Sequence, residues 1–232
     1  MEAWTEPDPT TNTVSAREMA LAEILSAISA SRDDETPVFD TILKHACGLC
    51  QTPFAGLYLV ERTATHAELT ASRGARSDYL DRAMTRWPLD GDASVPRAIA
   101  TGRPVQIVDI KATDRYRAGT TGRRLAVDQL GLNTMLHVPL VHQGHCLGVI
   151  SVYRKEVQAY TEDDIELLRI FASQAVIAIE NVRQFKALEA LNVELGDRVA
   201  AQVGEIERMG RLKRFLSPAV AETVVTKGEE ML

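Results

Sequence analysis

Residues 161–182 read TEDDIELLRIFASQAVIAIENV, and this stretch decides how the rest of the chain is organised. Thr161 is a suitable helix N-cap, and the acidic residues after it lie at the positive end of the helix dipole. Apolar residues then recur every three or four positions, at Ile165, Leu168, Ala172, Ala175, Ile179 and Val182. That spacing is typical of a coiled-coil seam. Further apolar residues cover other faces, which predicts a helix that packs both on its own domain and on a partner chain.

The helical pattern continues more weakly to about Leu216. Its apolar positions include Leu188, Leu191, Leu195 and Val199, and their spacing contains a phase shift. Gly196, Gly204 and Gly210 each destabilise a helix by about 1 kcal/mol relative to Ala. Two interpretations stay open: an ordinary dimerisation stalk, or a marginal coiled coil with two registers that transmits a signal.

The composition is that of a soluble globular protein, with 45% hydrophobic and 25% charged residues. A net charge of −6 argues against nucleic acid as the main partner, because such proteins usually carry a basic excess. No apolar run approaches the roughly 18 residues of a membrane span, and the N-terminus does not resemble a signal peptide. Three cysteines are few, as in a reducing compartment. We therefore predict a cytoplasmic protein without nucleic-acid or membrane partners.

Five apolar segments upstream of the long helix have the pattern of β-strands. Phe54–Val60 is apolar throughout and His66–Ser72 alternates, and Val105–Ile110 follows a short helix predicted at Ser94–Thr101. Thr134–Val141 and Cys146–Tyr153 are joined by a hairpin turn at Gln143-Gly144. Helices are predicted before these strands, at 15–28 and 36–49, between them at 77–84, and after them from residue 161. This order predicts an α+β fold in which an antiparallel sheet of about five to six strands is packed against helices.

Three stretches resemble the GAF domain, a PAS-like sensor module of signalling proteins. They are Ala100-Thr-Gly-Arg-Pro-Val105 with Asp109, Leu136-His-Val-Pro-Leu140 with Gly148-Val-Ile-Ser-Val152, and the stretch from Tyr160 to Asn181. The resemblance implies a domain at 14–185 that has a small-molecule pocket. We expect a disordered segment at 1–13, a coiled-coil signalling helix at 186–216, and the start of a further helix, truncated, at 217–232.

A second resemblance lies at the end of the chain. Arg214-Phe-Leu-Ser-Pro-Ala-Val-Ala-Glu222 is similar to the segment that precedes the catalytic domain of bacterial class III adenylate and guanylate cyclases. It implies a regulatory sensor that relays its ligand state through a dimeric coiled coil to a cyclase domain. We expect no activity from this chain itself, because the metal-binding aspartates of such a domain would lie beyond Leu232. A ligand-free dimerisation module and a redox enzyme similar to methionine sulfoxide reductases are the alternatives.

The GAF resemblance implies a ligand pocket between the sheet and residues 79–124. The predicted ligand-binding side chains are Tyr79, Trp87, Arg97, Asp109, Tyr116 and Arg123. Arg115, Arg117, Arg123 and Arg124 form a basic loop that either closes over an anionic ligand or is merely solvated. The sequence names neither the ligand nor any cofactor.

We predict a parallel homodimer, because a monomer would leave an apolar helix face in water. The predicted interface consists of Leu21, Ile24 and Ile28 from the first helix, with Ile165, Leu168, Ala172, Ala175, Ile179, Val182, Leu188, Leu191, Leu195 and Val199 from the long one.

The cysteines and histidines give weaker signals. Cys47-x-x-Cys50 has a redox or metal-binding spacing, but its place on an apolar helix face favours buried structural thiols. His142, His145 and Cys146 cluster at the hairpin turn, where a solvated turn is favoured because no fourth metal ligand is indicated. We predict neither a metal site nor a catalytic residue.

Overall fold

A six-stranded antiparallel sheet forms the centre of the molecule. The computed structural model describes residues 9–60, 65–74, 85–119 and 124–215, with their side chains from residue 15 to residue 211. The strands are β1 (Phe54–Leu59), β2 (His66–Arg73), β3 (Arg86–Pro88), β4 (Val105–Ile107), β5 (Thr134–His142) and β6 (His145–Arg154). Their order is β3-β2-β1-β6-β5-β4, and every neighbouring pair is antiparallel. The predicted fold class is confirmed.

The helices are α1 (Pro9–Ala30), α2 (Thr36–Leu49), α3 (Ser94–Thr101), α4 (Asp114–Arg117) and α5 (Glu162–Phe215), with a π-helical turn at Leu125–Gln129. α1 begins at Pro9, so the predicted disorder of residues 1–13 is wrong for its last five residues; proline suits the first turn of a helix. The helix predicted at 77–84 lies outside the described residues. Sequence reasoning missed β3, a three-residue edge strand that ends in proline.

The two faces of the sheet bury different sets of side chains, because successive residues of a strand point to opposite sides. On the first face, α1, α2 and the beginning of α5 pack against residues such as Leu57, Leu136 and Ile150. On the second face, α3 and the segment between β4 and β5 cover Phe54, Tyr58 and Tyr153. The second face is the one that the predicted ligand site would use.

The start of α5 is fixed by a capping box and a buried ion pair. The backbone N–H of Asp164 donates to Thr161 Oγ1 at 3.1 Å, and the N–H of Thr161 donates to Asp164 Oδ2 at 3.0 Å. The guanidinium of Arg154, at the end of β6, lies 3.1 Å from Asp164 Oδ2 and donates to the carbonyl of Cys50 at 2.9 Å. This arrangement joins the ends of β6 and α2 to the first turn of α5.

The first half of the predicted dimer interface is already covered within the chain. The six seam residues from Ile165 to Val182 are at most 9% exposed. Ile24 and Ile28 of α1 are buried in the same core, and Leu21 is half-buried in a groove beside α5. The interface prediction is wrong for these buried residues, because a spacing of three and four residues suits a helix that lies on a sheet as well as one that meets a partner helix.

The chain divides into two compact units, Met1–Arg183 and Gln184–Leu232. In the second unit, the apolar side chains of α5 are exposed, including Leu188 (60%), Leu191 (50%), Leu195 (48%) and Val199 (57%). These four residues remain a predicted interface. Among the described helices, none combines the length and the apolar run that crossing a bilayer requires.

Candidate functional site

The second face of the sheet carries polar side chains inside an apolar surround. Pairing of β5 with β6 places His137 opposite Ser151, and pairing of β1 with β6 places Tyr58 opposite Val149. His137, Ser151, Tyr58 and Tyr153 are fully buried. Buried polar groups are costly unless they are hydrogen-bonded, so their concentration at one place is unlike an ordinary core.

His137 is held between two serine hydroxyls. Its Nδ1 lies 2.7 Å from Ser151 Oγ, and its Nε2 lies 3.0 Å from Ser94 Oγ in the first turn of α3. The sulfur of Met135 is 3.3 Å from the same Nε2 atom. Since a serine hydroxyl can donate or accept, this pair of contacts suits either neutral tautomer of the imidazole.

Two aromatic polar groups complete the site. The Tyr58 and Trp87 rings meet edge to face, with centroids 6.5 Å apart. Burial raises the pKa of Tyr58 well above its ordinary value; the nearby Tyr153 hydroxyl raises it further, and the Trp87 N–H opposes the rise. Within the described residues, neither the Tyr58 hydroxyl nor Trp87 Nε1 makes a hydrogen bond of normal geometry. Both are donors, so a ligand acceptor or a water molecule could satisfy them.

We call these six residues the aromatic–polar cluster: Tyr58, Trp87, Ser94, His137, Ser151 and Tyr153. None carries a fixed charge. Tyr153 connects the cluster to the apolar core beside it, since its ring stacks on Phe54 at 5.0 Å and meets His137 edge to face at 6.0 Å. A ligand bound at this cluster would need hydrogen-bonding groups and an apolar or aromatic body.

The predicted ligand residues have mixed outcomes. Trp87 belongs to the cluster, and Tyr116 packs on the neighbouring core while donating to Asp128 at 2.9 Å. Arg97 and Asp109 do not join the cluster. Arg97 is exposed on α3, whereas the Asp109 carboxylate accepts the backbone N–H of Lys111 at 2.9 Å in a turn. Tyr79 and Arg123 lie outside the described residues.

Two described arginines of the basic loop, Arg115 and Arg117, form ion pairs with nearby aspartates. Arg115 pairs with Asp92, and Arg117 lies 3.2 Å from Asp114. The Arg115 side chain is 40% exposed and that of Arg117 is 65% exposed, so their ion pairs are typical of a solvated surface. This favours the solvated-loop interpretation over closure on an anionic ligand.

Sequence reasoning missed five members of the cluster: Tyr58, Ser94, His137, Ser151 and Tyr153. A signal existed in the strands, because His137 stands between Leu136 and Val138 and Ser151 stands between Ile150 and Val152. A single polar residue within a strongly apolar strand marks a buried polar site.

The cysteines lie away from the cluster and are poorly suited to nucleophilic chemistry. Cys47 lies on α2 and Cys50 directly follows it, and α2 covers the opposite face of the sheet. Burial raises the pKa of all three thiols, that of Cys50 to about 12, so little thiolate is present at neutral pH. Across the described chain, no group of three His, Cys, Asp or Glu side chains could hold a metal ion.

Solved structures with this fold come from several kinds of protein. A free methionine-R-sulfoxide reductase from Neisseria meningitidis, in complex with its substrate, is 22% identical with a TM-score of 0.59; the match covers 79% of this chain and 98% of the reductase. The GAF domain of a phosphoenolpyruvate-protein phosphotransferase from Coxiella burnetii is 14% identical with a TM-score of 0.58, over 78% and 99% of the two chains. A domain of a two-component sensor histidine kinase from Sinorhizobium meliloti is 17% identical with a TM-score of 0.53, over 66% and 94%.

These structures share the fold of this chain. Their sequence identities are too low to indicate its activity. Comparison with curated proteins found no match. The family model described as "GAF domain" matches residues 34–179, which span the sheet, the aromatic–polar cluster and the first turns of α5. The chain therefore belongs to the GAF domain family.

Proposed function

We propose that this chain is the regulatory sensor of a bacterial nucleotide cyclase, with the aromatic–polar cluster as its ligand site and α5 as its output. The sensor role has support in the family, because GAF domains are regulatory modules of kinases, chemotaxis proteins and other signalling proteins. Catalysis in this proposal belongs to an attached domain. The whole protein acts as a parallel homodimer in the cytoplasm.

The observation that carries the sensor proposal is the position of the cluster on β6. Ser151 and Tyr153 of that strand belong to the cluster, and Arg154, the next residue, binds Asp164 in the first turn of α5. A ligand that moves Tyr153 therefore acts one residue away from an ion pair that positions the output helix. The link to a cyclase rests on the resemblance of residues 214–222, most of which lie outside the described residues.

Native mass spectrometry of the purified chain tests the ligand site. We expect a small molecule that stays bound under native conditions and leaves on denaturation. Its occupancy should fall in Tyr58→Phe and Trp87→Phe, because each variant removes one donor and keeps the aromatic ring. Arg97→Ala, an exposed change on α3, serves as the control. Equal occupancy in all four proteins would place the ligand elsewhere.

The redox alternative draws support only from the shared fold with the sulfoxide reductase. The raised thiol pKa values and the distance of α2 from the cluster argue against it. Replacing all three cysteines with serine and assaying sulfoxide reduction distinguishes the two functions. Sulfoxide reduction by the parent that the triple variant loses would establish the enzyme and overturn the sensor proposal.

The other alternative is a dimerisation module without a ligand. In that case the cluster would hold only water, and no small molecule would accompany the purified protein. Native mass spectrometry thus separates this alternative from the sensor as well.

A further inference from the structure

The end of α2 carries two free thiols. Cys47 lies in the last turn of the helix, and Cys50 follows it as the C-cap. Residues three apart on a helix are neighbours on its surface, with Cα atoms about 5 Å apart. Disulfides span Cα distances of roughly 4.4–6.8 Å. The charge of Cys47 also raises the pKa of Cys50, as expected of close neighbours. The two thiols are therefore close enough to be joined.

The backbone at this helix end forms a Schellman motif. The N–H of Thr52 donates to the Cys47 carbonyl at 3.1 Å, and Gln51 has a left-handed φ of 48°. Cβ atoms three residues apart on a helix lie about 5–6 Å apart, whereas a disulfide needs about 3.5–4.5 Å, so a bridge would contract the turn by about 1–2 Å. Gly48 lies between the two cysteines, and glycine gives the backbone freedom to adjust.

The two thiols differ in access and in their charged neighbours. Cys47 is half-buried, whereas Cys50 is only 1% exposed. Burial raises the pKa of the Cys47 thiol, but nearby Arg73 opposes the rise. Burial raises the pKa of Cys50 to about 12, and the Asp164 carboxylate raises it further. Cys47 is thus the thiol that can react with a molecule from solvent, and Cys50 suits the second, intramolecular step.

The backbone of Cys50 is connected to the first turn of α5. Its carbonyl accepts from the Arg154 guanidinium at 2.9 Å, and the same guanidinium lies 3.1 Å from Asp164 Oδ2. A contraction of the α2 end therefore displaces one of the groups that hold Arg154 against α5.

We propose that Cys47 and Cys50 are a reversible redox pair, oxidised by a low-molecular-weight disulfide, and that their oxidation loosens the first turn of α5. The Cys47 thiolate attacks one sulfur of the oxidant, which forms a mixed disulfide and expels a thiolate. Cys50 then loses its proton and attacks the Cys47 sulfur, which expels the second thiolate. The cysteines lose two electrons and two protons in total, and the oxidant takes them up as two thiols.

The raised pKa values make this pair slow in both directions. Little thiolate is present to start the reaction, and a thiol of high pKa is a poor leaving group when a reductant attacks the bridge. The contracted turn strains the bridge, which makes it more reducible at equilibrium than an ordinary structural disulfide. The pair is therefore suited to sustained oxidation rather than to rapid turnover. It requires neither a ligand at the aromatic–polar cluster nor an attached cyclase.

Oxidised glutathione and peptide mass spectrometry test the chemistry on the full chain. In the parent, the peptide that contains both cysteines should lose two hydrogen atoms, and dithiothreitol should restore them. Cys50→Ser should stop as a glutathione adduct at Cys47, and Cys47→Ser should stay unmodified at buried Cys50. Cys146→Ser is the matched control, since Cys146 is also half-buried with a raised pKa but lies on β6. It should form the same bridge as the parent.

Hydrogen exchange tests the effect on α5. The amides of Asp164 and Ile165 donate to Thr161 at the beginning of the helix, at 3.1 and 3.0 Å. They should exchange about tenfold faster in the oxidised parent than in the reduced one, because a hydrogen bond to the charged Arg154 is weakened. Oxidised Cys146→Ser should show the same increase. Cys50→Ser with its adduct controls for modification of Cys47 without closure of the ring.

The parent alone gives both decisive measurements, so a variant that fails to fold leaves the test intact. A bridge between Cys47 and Cys50 together with faster exchange at α5 supports the inference. A parent that stays reduced, or that gains only a glutathione adduct, would overturn the redox pair. A bridge that leaves exchange at α5 unchanged would overturn the connection to the helix. The ligand measurements on the cluster are separate, so the sensor proposal can fail while this inference holds, and the reverse.

Discussion

At the scale of single residues, Arg154 shows how one buried charge can join several elements. Its guanidinium binds the Asp164 carboxylate, the Cys50 carbonyl and the Ala159 carbonyl, and it lies 4.0 Å from the centre of the Tyr160 ring. The Arg154 side chain is only 9% exposed, and that of Asp164 only 16%. A buried pair of this kind gives little net stability over an apolar replacement, but the loss of one partner leaves the other charge unpaired.

We predict that Arg154→Ala destabilises the fold by about 3–5 kcal/mol, because Asp164 loses its partner in a partly buried position. Arg169→Ala is the control, since Arg169 makes an exposed pair with Glu166 that should contribute about 1 kcal/mol or less. Urea unfolding followed by circular dichroism measures both. Similar losses in the two variants would show that the Arg154 pair does not hold α5.

At the scale of elements, the sheet depends on a close approach of β1 and β6. A Cβ atom at Gly148 would lie 2.0 Å from the carbonyl oxygen of Tyr58, so only glycine fits without a backbone shift. Gly148 pairs with Leu59, one residue beyond the Tyr58 of the aromatic–polar cluster.

Gly148→Ala should therefore destabilise the domain by about 1–3 kcal/mol, the usual cost of overpacking. It should also lower ligand occupancy, because β1 carries Tyr58. Gly131→Ala suits as a comparison, since a Cβ there meets nothing within 4 Å although its φ is +67° and adds some strain. Thermal unfolding and native mass spectrometry give the two measurements, and a variant as stable as the parent would contradict the steric argument.

The sequence was sufficient to predict most of the elements but not the register between two of them. The five predicted strands and the capping box at Thr161 follow from local patterns and are present. The facing of His137 and Ser151 depends on an irregularity between Leu140 and Val141 that shifts the β5–β6 pairing by one residue. A regular hairpin drawn back from His142 and His145 would instead place His137 opposite Ile150. Local patterns therefore do not show that His137 and Ser151 face each other.

The long helix shows a second limit of sequence patterns. Spacing of three and four residues marks an apolar stripe without saying what covers it, and on α5 the sheet covers the stripe that begins at Ile165. The outward stripe at Ile170 and Ile177 is thinner and interrupted by amides. The spacing alone therefore does not distinguish a stripe that packs on the sheet from one that faces outward.

At the scale of the whole molecule, the proposed sensor role requires that the state of the cluster reach α5. Strand β6 carries both the cluster residue Tyr153 and the α5-binding Arg154, which gives a continuous physical connection. This connection alone does not establish that the ligand site and α5 are coupled. Coupling requires an element that has two states, one of which the ligand favours. Allosteric coupling typically amounts to about 1–3 kcal/mol, so the second state must lie within that range.

The glycines of α5 would bring such a state within reach. Gly196, Gly204 and Gly210 together lower helix stability by about 3 kcal/mol relative to alanine. A Cβ at any of the three meets nothing within 4 Å, so alanine fits there without a clash and packing within the chain does not require glycine. We predict that the triple alanine variant stabilises one state of the helix and reduces regulation.

The measurement uses chimeras in which this chain is joined to a class III cyclase catalytic domain, with basal and ligand-stimulated activity compared. The triple variant should respond less than the parent, because the ligand must then overcome about 3 kcal/mol of added helix stability. Gly48→Ala is the control: it is also a glycine within a helix with open space around its Cβ, but it lies on α2. An undiminished response in the triple variant would mean that α5 does not switch between states.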